Sequence, residues 1–236
     1  MNITFEPKKV ATFLSAIVIF LIIANSVGMV SKYYFGSHRI ALFNLDGEGN
    51  IPTLFSSGAE LLCAGLLAII ATARKRQNKR EYLYWAGLSI IFLFIAVDDG
   101  AALHEKIIRP LRNALNTSGA LYYAWVIPYG MLVIAVGLIY FRFLFSLSVR
   151  MRYLFILAAT LFVGGALGVE MIGSDWFERF GHENVGYELI TMFEQSLQMA
   201  GILVFIYALM SYIETELNDL FIHIGSLASL PAQKTP

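Results

Sequence analysis

The chain has 236 residues, of which 58% are hydrophobic and 14% charged, and its 17 basic and 17 acidic side chains cancel. This composition excludes a water-soluble domain and indicates an integral membrane protein. Zero net charge gives no reason to expect nucleic acid as a partner, and the single cysteine, Cys63, excludes an internal disulfide and a cysteine-based metal site.

Six apolar runs are long enough to cross a hydrocarbon core of about 30 Å, which takes about 20 helical residues. They lie at about 10–30, 54–73, 82–103, 122–145, 153–171 and 187–211. The runs are continuous rather than alternating, so we expect helices and not barrel strands. The sequence therefore predicts an all-α, polytopic bundle of six transmembrane helices that forms one integral membrane domain over residues 1–236.

The distribution of Lys and Arg predicts the orientation of this bundle. We interpret the first run as a retained span, because it is long for a signal peptide. With six spans, both termini share a side with the basic loop 74–80, and that side carries 11 Lys and Arg residues against 6 opposite. We therefore expect cytoplasmic termini. Three basic residues on the outer side run against this trend: Lys106, Arg109 and Arg112.

The first outer loop contains Asp46-Gly47-Glu48-Gly49-Asn50, with oxygen-bearing side chains at alternate positions. An EF-hand calcium loop would have Gly at its sixth place and Glu at its twelfth, where this chain has Ile51 and Ser57. We therefore expect a Gly-rich turn ahead of Pro52 rather than a calcium site.

Acidic residues collect at one depth, toward the outer ends of spans that run in opposite directions. One Asp at a membrane centre costs about 2.5–3.5 kcal/mol, so such residues are candidates for function. We expect four of them to line one buried polar site: Glu60, Asp98, Glu170 and Glu194. The structural alternative is protonated carboxyls that bridge helices by hydrogen bonds worth about 1 kcal/mol each.

Helical spacing refines this site. Asp98 and Glu105 are seven residues apart, so a continuous helix would carry both on one face and His104 well away from it. On the sixth span, a polar face follows helical spacing, and three apolar residues lie off it: Phe193, Leu197 and Ile202. That face comprises Tyr187, Thr191, Glu194, Gln198 and Gly201. On the fifth span, three glycines predict the close approach of a neighbouring helix: Gly164, Gly165 and Gly168.

Carboxylates with one histidine are hard ligands that suit Fe, Mn, Mg or Zn, and such a divalent ion generates hydroxide for hydrolysis. The first hypothesis is therefore a metal-dependent enzyme acting on a lipid or membrane-soluble substrate. Its predicted metal ligands are Asp98, Glu170, Glu194 and His104. Its candidate catalytic groups are His104, as ligand or general base, and Glu105. Residues expected to support the ligands are Glu60, Asp99, Thr191 and Gln198.

Two other classes of function stay open. Clustered acids would also serve a proton- or cation-coupled transporter or channel, although acids are nearly missing from the inner halves of the spans. Many aromatic side chains would also suit a non-catalytic subunit or a lipid- or pigment-binding scaffold. The enzyme hypothesis lacks the Glu-x-x-His pairs of di-iron bundles. In every case the expected surroundings are a lipid bilayer, with a membrane-protein partner or a second copy of the chain as candidate partners.

The chain also resembles an uncharacterised family of bacterial six-span membrane proteins. The resemblance is carried over most of the chain by Phe43-x-Leu45-x-Gly47-Glu48-x-Asn50-Ile51-Pro52-Thr53, Asp98-Asp99, His104-Glu105, Glu170, Glu194-Gln195 and Gln198-Met199. It implies a bacterial inner membrane and supplies no activity. In relatives we expect acids at several of these places, and Asp99, Gln195 and Gln198 are departures that would weaken metal binding if ligands stood there.

Overall fold

The structure, a computed structural model, describes residues 6–36 and 41–217, and within these ranges it contains helices and no strand. The helices are α1 (Pro7–Phe35), α2 (Ile51–Arg76), α3 (Tyr82–Ala101), α4 (Leu103–Leu115), α5 (Val126–Ser146), α6 (Val149–Val163), α7 (Glu170–Phe180) and α8 (Val185–Glu216). A π-helical turn, Gly164–Val169, joins α6 to α7. Short 3-10 helices lie at Ala41–Phe43 and Gly119–Leu121.

Six helices of the described ranges are long and apolar enough to cross a membrane: α1, α2, α3, α5, the continuous helix Val149–Phe180 and α8. This confirms the predicted all-α, six-span fold. The third span ends at Ala101 and the fourth begins at Val126, whereas the fifth continues to Phe180 because the π turn does not interrupt it. The charge pattern predicts on which side of the membrane the two termini lie. Both terminal segments, residues 1–5 and 218–236, are outside the described residues.

The loop before α2 is the predicted Gly-rich turn. The Asn50 side chain accepts a hydrogen bond from the Thr53 backbone N–H at 3.1 Å, and its Nδ2 donates to the backbone oxygens of Asn44 and Gly47. Asn50 therefore caps α2, and Pro52 occupies the first helical turn, where a missing N–H costs nothing. Capping fixes the direction in which the acidic side chains of this loop point.

The two ends of the bundle differ, and we name them by their residues. The basic end carries the loop 77–81 and Arg74, and the acidic end carries the loop 44–50, α4 and the loop 181–184. Near the basic end, Trp85 is fully buried, with its ring centroid 5.0 Å from that of Phe143 and 4.6 Å from that of Tyr212. This aromatic group closes the hydrophobic core that α2, α6 and α8 form.

Close contact between α8 and the α6–π segment depends on small residues. A Cβ atom at Gly165 would lie 2.8 Å from the Glu194 backbone oxygen, and one at Gly201 would lie 2.6 Å from the Phe162 nitrogen. The predicted close approach is therefore confirmed at Gly165. It is wrong at Gly164 and Gly168, which have open space on their Cβ side.

Helix α5 stands apart from the bundle along most of its length. Its buried residues are Val126, in the first turn, and Phe143, near the end. Between these two points the inner face of α5 borders a cavity instead of a neighbouring helix. This gap brings the functional groups of the acidic end into contact with an apolar space.

Candidate functional site

A cavity of about 1280 Å³ extends from the acidic end between α3, α5, α6 and α8. Its lining along α8 runs from Tyr187 to Phe205, which corresponds to about 27 Å of helix at 1.5 Å per residue. The deep part is apolar, with Leu88, Val136 and Phe155 among its walls. The volume exceeds the range of about 300–1,000 Å³ that is common for small-molecule sites.

The cavity is continuous with the lipid-facing surface between α3 and α5. Ile90, Phe94 and Leu132 line it, yet they are 69%, 44% and 47% exposed. These side chains have the apolar character that the hydrocarbon region of a bilayer requires. Exposed apolar side chains of α3 and α5 therefore form part of the cavity lining.

The polar mouth of the cavity is shaped by a break between α3 and α4. Ala102 has φ 48° and ψ 48°, a left-handed conformation that costs an L-residue about 1–2 kcal/mol. The break turns His104 back, so that its Nδ1 lies 3.2 Å from Oδ2 of Asp98. The prediction that Asp98 and Glu105 share one helical face, with His104 away from it, is therefore wrong, because no continuous helix connects them.

Asp98 is buried and engaged on both of its oxygens. The Tyr129 hydroxyl donates a hydrogen bond of 2.9 Å to Oδ1, while Oδ2 faces His104. A carboxylate that bonds one ring nitrogen of a histidine fixes the ring and makes the other nitrogen a better metal ligand. Asp98, predicted as a ligand, thus stands in the position of a group that orients His104.

Three side chains at the mouth fit a single cation. Glu48, His104 and Glu105 each offer one ligand atom, and these atoms lie within 4.8 Å of one another. Ligand atoms bind zinc at about 2.0–2.2 Å, so two on opposite sides of an ion are about 4.2 Å apart. Small side-chain movements would therefore close this group on an ion, and of the predicted metal ligands it contains only His104.

The charge state of this group depends on its surroundings. Desolvation by the walls of the mouth, with repulsion from Asp99 and Glu105, raises the pKa of Glu48 to about 7, although Glu48 is an exposed residue. Burial lowers the pKa of His104, but the hydrogen bond and charge of Asp98 outweigh it and leave that pKa above its usual value. A cation would have to displace protons from both groups to bind near neutral pH.

A second pair of acids lies farther along the cavity wall. The carboxyl groups of Glu170 and Glu194 are in hydrogen-bond contact. The Trp125 indole donates a 3.0 Å bond to Glu170, and the Gln198 amide donates a 2.8 Å bond to Glu194. Two carboxyls in contact hold a shared proton or a cation between them. Glu170 begins α7 directly after the π turn, a feature that often marks functional sites.

Trp125 connects the two groups. Its ring centroid lies 5.0 Å from that of His104, and its indole nitrogen donates to Glu170. The predicted ligands are thus divided: His104 and Asp98 stand in one group, and Glu170 and Glu194 in the other.

The remaining predicted residues also reach the cavity or its edge. All five members of the predicted polar face of α8 line the cavity, and Phe193 is exposed as expected. The expectation for Ile202 is wrong, because this residue is buried and also lines the cavity. Thr191 is buried, and its hydroxyl donates to the Tyr187 backbone oxygen. Glu60 is buried in the cavity wall, and Asp99 accepts a 3.3 Å hydrogen bond from Ser57.

Sequence reasoning missed Glu48 and the pair formed by His182 and Asp46. His182 Nε2 lies 2.7 Å from Asp46 Oδ2 across the mouth, and beside it the hydroxyls of Tyr123 and Tyr187 are 3.1 Å apart. All of these residues lie in loops or at helix ends, where no periodicity identifies the inward face. The alternate oxygens of loop 46–50 were the available signal for Glu48.

The fold and the cavity define a multi-pass membrane protein whose carboxylates and histidine border an apolar space. The family model described as "Domain of unknown function (DUF8692)" matches residues 11–213, from the start of α1 to the last turn of α8. The chain belongs to this family, which confirms the expected membership of an uncharacterised family. No curated protein and no solved structure matches the chain.

Proposed function

We propose that this protein is a membrane-embedded, metal-dependent hydrolase that acts on a lipid-like substrate. One observation carries the proposal: an apolar cavity that follows about 27 Å of α8 ends at a histidine–carboxylate group. An amphiphile would place its hydrocarbon part in the cavity and its polar head at that group.

In this proposal Glu48, His104 and Glu105 hold one divalent cation, and Asp98 orients His104. Two carboxylates and one imidazole suit Zn, Mn or Fe. A bound cation of this kind would lower the pKa of a water ligand, to about 7 for zinc, and would polarise the carbonyl or phosphoryl oxygen of the substrate. Glu170 and Glu194, which the sequence predicted as metal ligands, do not bind this cation in the proposal.

The reaction is the hydrolysis of an ester-type bond at the substrate head. Water would lose one proton to solvent as its oxygen bonds to the acyl or phosphoryl centre. The bond from that centre to the leaving oxygen would break, and the leaving oxygen would take up one proton. The Glu170–Glu194 pair, whose carboxyl groups are in contact with each other, is the group that would donate it. Trp125 and Gln198 keep this pair oriented toward the cavity.

The mouth of the cavity favours an anionic head group. Three basic side chains line it: Lys106, Arg109 and Arg112. These are the residues that depart from the predicted charge asymmetry, and substrate recognition gives them a reason to stand there. With that asymmetry, we propose that the acidic end faces outward from a bacterial inner membrane.

Transport is less well supported than hydrolysis. A conducting path would have to pass the packed aromatic group around Trp85, Phe143 and Tyr212 at the basic end. Uncompensated charges do not cross such an apolar plug without a large rearrangement. A non-catalytic subunit would use the cavity for binding alone, and the experiment below separates that outcome.

The test uses the detergent-purified full chain, with His104→Ala beside Glu214→Gln as a matched control, since Glu214 is an exposed carboxylate at the basic end. Metal content is measured by elemental analysis, and lipid products are measured by mass spectrometry after incubation with anionic-lipid vesicles. We expect metal and product from the wild type and Glu214→Gln, and neither from His104→Ala. Metal-free wild type with unchanged lipids would overturn the proposal.

A further inference from the structure

Glu60 is a buried acid that the proposed hydrolytic centre does not use. It lies on α2 in the cavity wall, is 3% exposed, and its Oε2 has no hydrogen-bond partner among the described residues. A buried polar atom left unpaired costs about 1–3 kcal/mol, and more when the group is charged. The position of Glu60 therefore points to a ligand for this oxygen.

The surroundings of Glu60 are acidic and rich in oxygen. The charges that act most strongly on it are those of Asp99 and Asp98, both of the same sign. Ser57 stands three residues before Glu60 on the same face of α2, and its hydroxyl is 3.3 Å from Oδ2 of Asp99. Ser57 and Asp99 thus meet where α2 faces α3, and Glu60 stands one helical turn farther along α2.

The contact between α2 and α3 keeps these groups in place. A Cβ atom at Gly100 would lie 3.4 Å from the Ser57 hydroxyl oxygen, so the helices are close beside Asp99. The Ser57 hydroxyl also donates to the Thr53 backbone oxygen at 2.6 Å, which leaves a lone pair of Ser57 available. Groups carried by two packed helices form a more rigid site than groups carried by loops.

We propose that Glu60, Asp99 and the Ser57 hydroxyl bind a second divalent cation. An all-oxygen set selects a hard ion such as Mg²⁺ or Mn²⁺, which binds through one or two carboxylates and retains water ligands. This ion supplies the partner for Glu60 and offsets the repulsion between neighbouring acids.

The chemical role of this second cation rests on the proposed function. The charges of Asp99 and Glu105 both act on Glu48, so the two groups of ligands are near each other. Two cations in adjacent sites stabilise both the attacking and the leaving oxygen of a hydrolytic displacement. The buried cation would then contact the leaving group while the cation at His104 activates water.

The test counts bound manganese. The full chain is loaded with Mn²⁺, free ion is removed by gel filtration, and manganese per chain is measured by elemental analysis. We expect two ions in the wild type and in the control Glu214→Gln, one in Glu60→Gln, and one in His104→Ala. Asp99→Asn, also expected to bind one, serves as the second variant if Glu60→Gln does not fold.

The outcomes separate this inference from the proposed function. Two ions retained in both Glu60→Gln and Asp99→Asn overturn the second site. One ion in the wild type, lost only in His104→Ala, also overturns it and leaves the proposed centre standing. One ion lost only in Glu60→Gln supports the buried site and removes the proposed centre, and a wild type that binds no manganese overturns the buried site.

Discussion

The acidic and basic ends of the bundle differ in how densely they pack and in how many energetically costly groups they contain. At the basic end, Trp85 is enclosed by aromatic rings, and Arg74 donates hydrogen bonds to the Tyr212 hydroxyl from one side of the core. At the acidic end, a left-handed Ala102, a π turn and an unpaired oxygen of Glu60 each cost free energy. Dense packing at one end therefore stabilises a fold that tolerates costly, function-bearing groups at the other.

The largest effect on activity is expected at His104. The His104→Ala variant removes a ligand of the proposed cation and the partner of Asp98. Since a catalytic cation supplies several kcal/mol to the transition state, lipid hydrolysis should fall by about a thousandfold or more. Product release from anionic-lipid vesicles measures this loss.

Folding must be unaffected for that result to be informative. Near-native unfolding temperature and helical circular dichroism of His104→Ala in detergent would establish this, because His104 contributes little to the core. Activity that persists in a well-folded His104→Ala protein would contradict the proposed centre.

The second prediction concerns the basic end. Replacing a fully buried tryptophan by alanine leaves a cavity, so Trp85→Ala should destabilise the protein by about 3–5 kcal/mol. Denaturation in mixed micelles measures the change in free energy of unfolding. The fraction of protein that stays folded should bind as much metal as the wild type. Selective loss of metal in this variant would show that the two ends are not independent.

Asp98→Asn should have an intermediate effect. Asparagine keeps the shape of Asp98 but loses the charge that orients His104 and makes it a better ligand. Loss of such an outer partner commonly lowers metal affinity by about 10- to 100-fold. Competition with a fluorescent chelator measures the affinity, and Glu214→Gln provides the matched loss of one carboxylate elsewhere. Wild-type affinity in Asp98→Asn would mean that Asp98 does not act through His104.

Metal affinity should also rise with pH. Cation binding requires ionised Glu48 and a free nitrogen on His104, and the pKa values of both groups are raised, that of Glu48 to about 7. Below about pH 7 both hold protons that the ion must displace, so affinity falls by about tenfold per pH unit for each proton. Above these pKa values it becomes constant. Calorimetric titrations on both sides of neutrality test this, and a flat profile would exclude Glu48 as a ligand.

Much of the scaffold could be predicted from the sequence because apolar length and periodicity are local signals. The six spans follow from continuous apolar runs, and the cavity-facing stripe from Tyr187 to Gly201 follows from helical spacing. The common depth of the acids also followed, since each helix advances a fixed distance per residue.

The arrangement of the site could not be predicted in the same way. Nothing in the Ala101-Ala102 pair indicates a helix break, because alanine is the strongest helix former, and the break decides where His104 points. Periodicity assigns a residue to a face but gives no distance between faces, so the pairing of His104 with Asp98 and of Glu170 with Glu194 could not be predicted. Glu48 lies in a capped turn, where no repeating pattern exists.

The smallest predicted effect concerns the basic side chains at the mouth. Arg109 is exposed and lines the cavity, so its interaction with an anionic head group is that of a solvent-screened ion pair, worth about 0.2–1 kcal/mol. Arg109→Gln should therefore raise the KM for an anionic lipid by about two- to fivefold while kcat changes little. The increase should shrink as ionic strength rises, because salt screens exposed charges.

Arg150→Gln is the matched control, since Arg150 is a basic residue of the opposite end that donates a hydrogen bond to Tyr207. An equal effect of both substitutions would mean that Arg109 acts on the membrane surface as a whole, and a lower KM for a zwitterionic lipid in Arg109→Gln would confirm that the mouth discriminates between head groups.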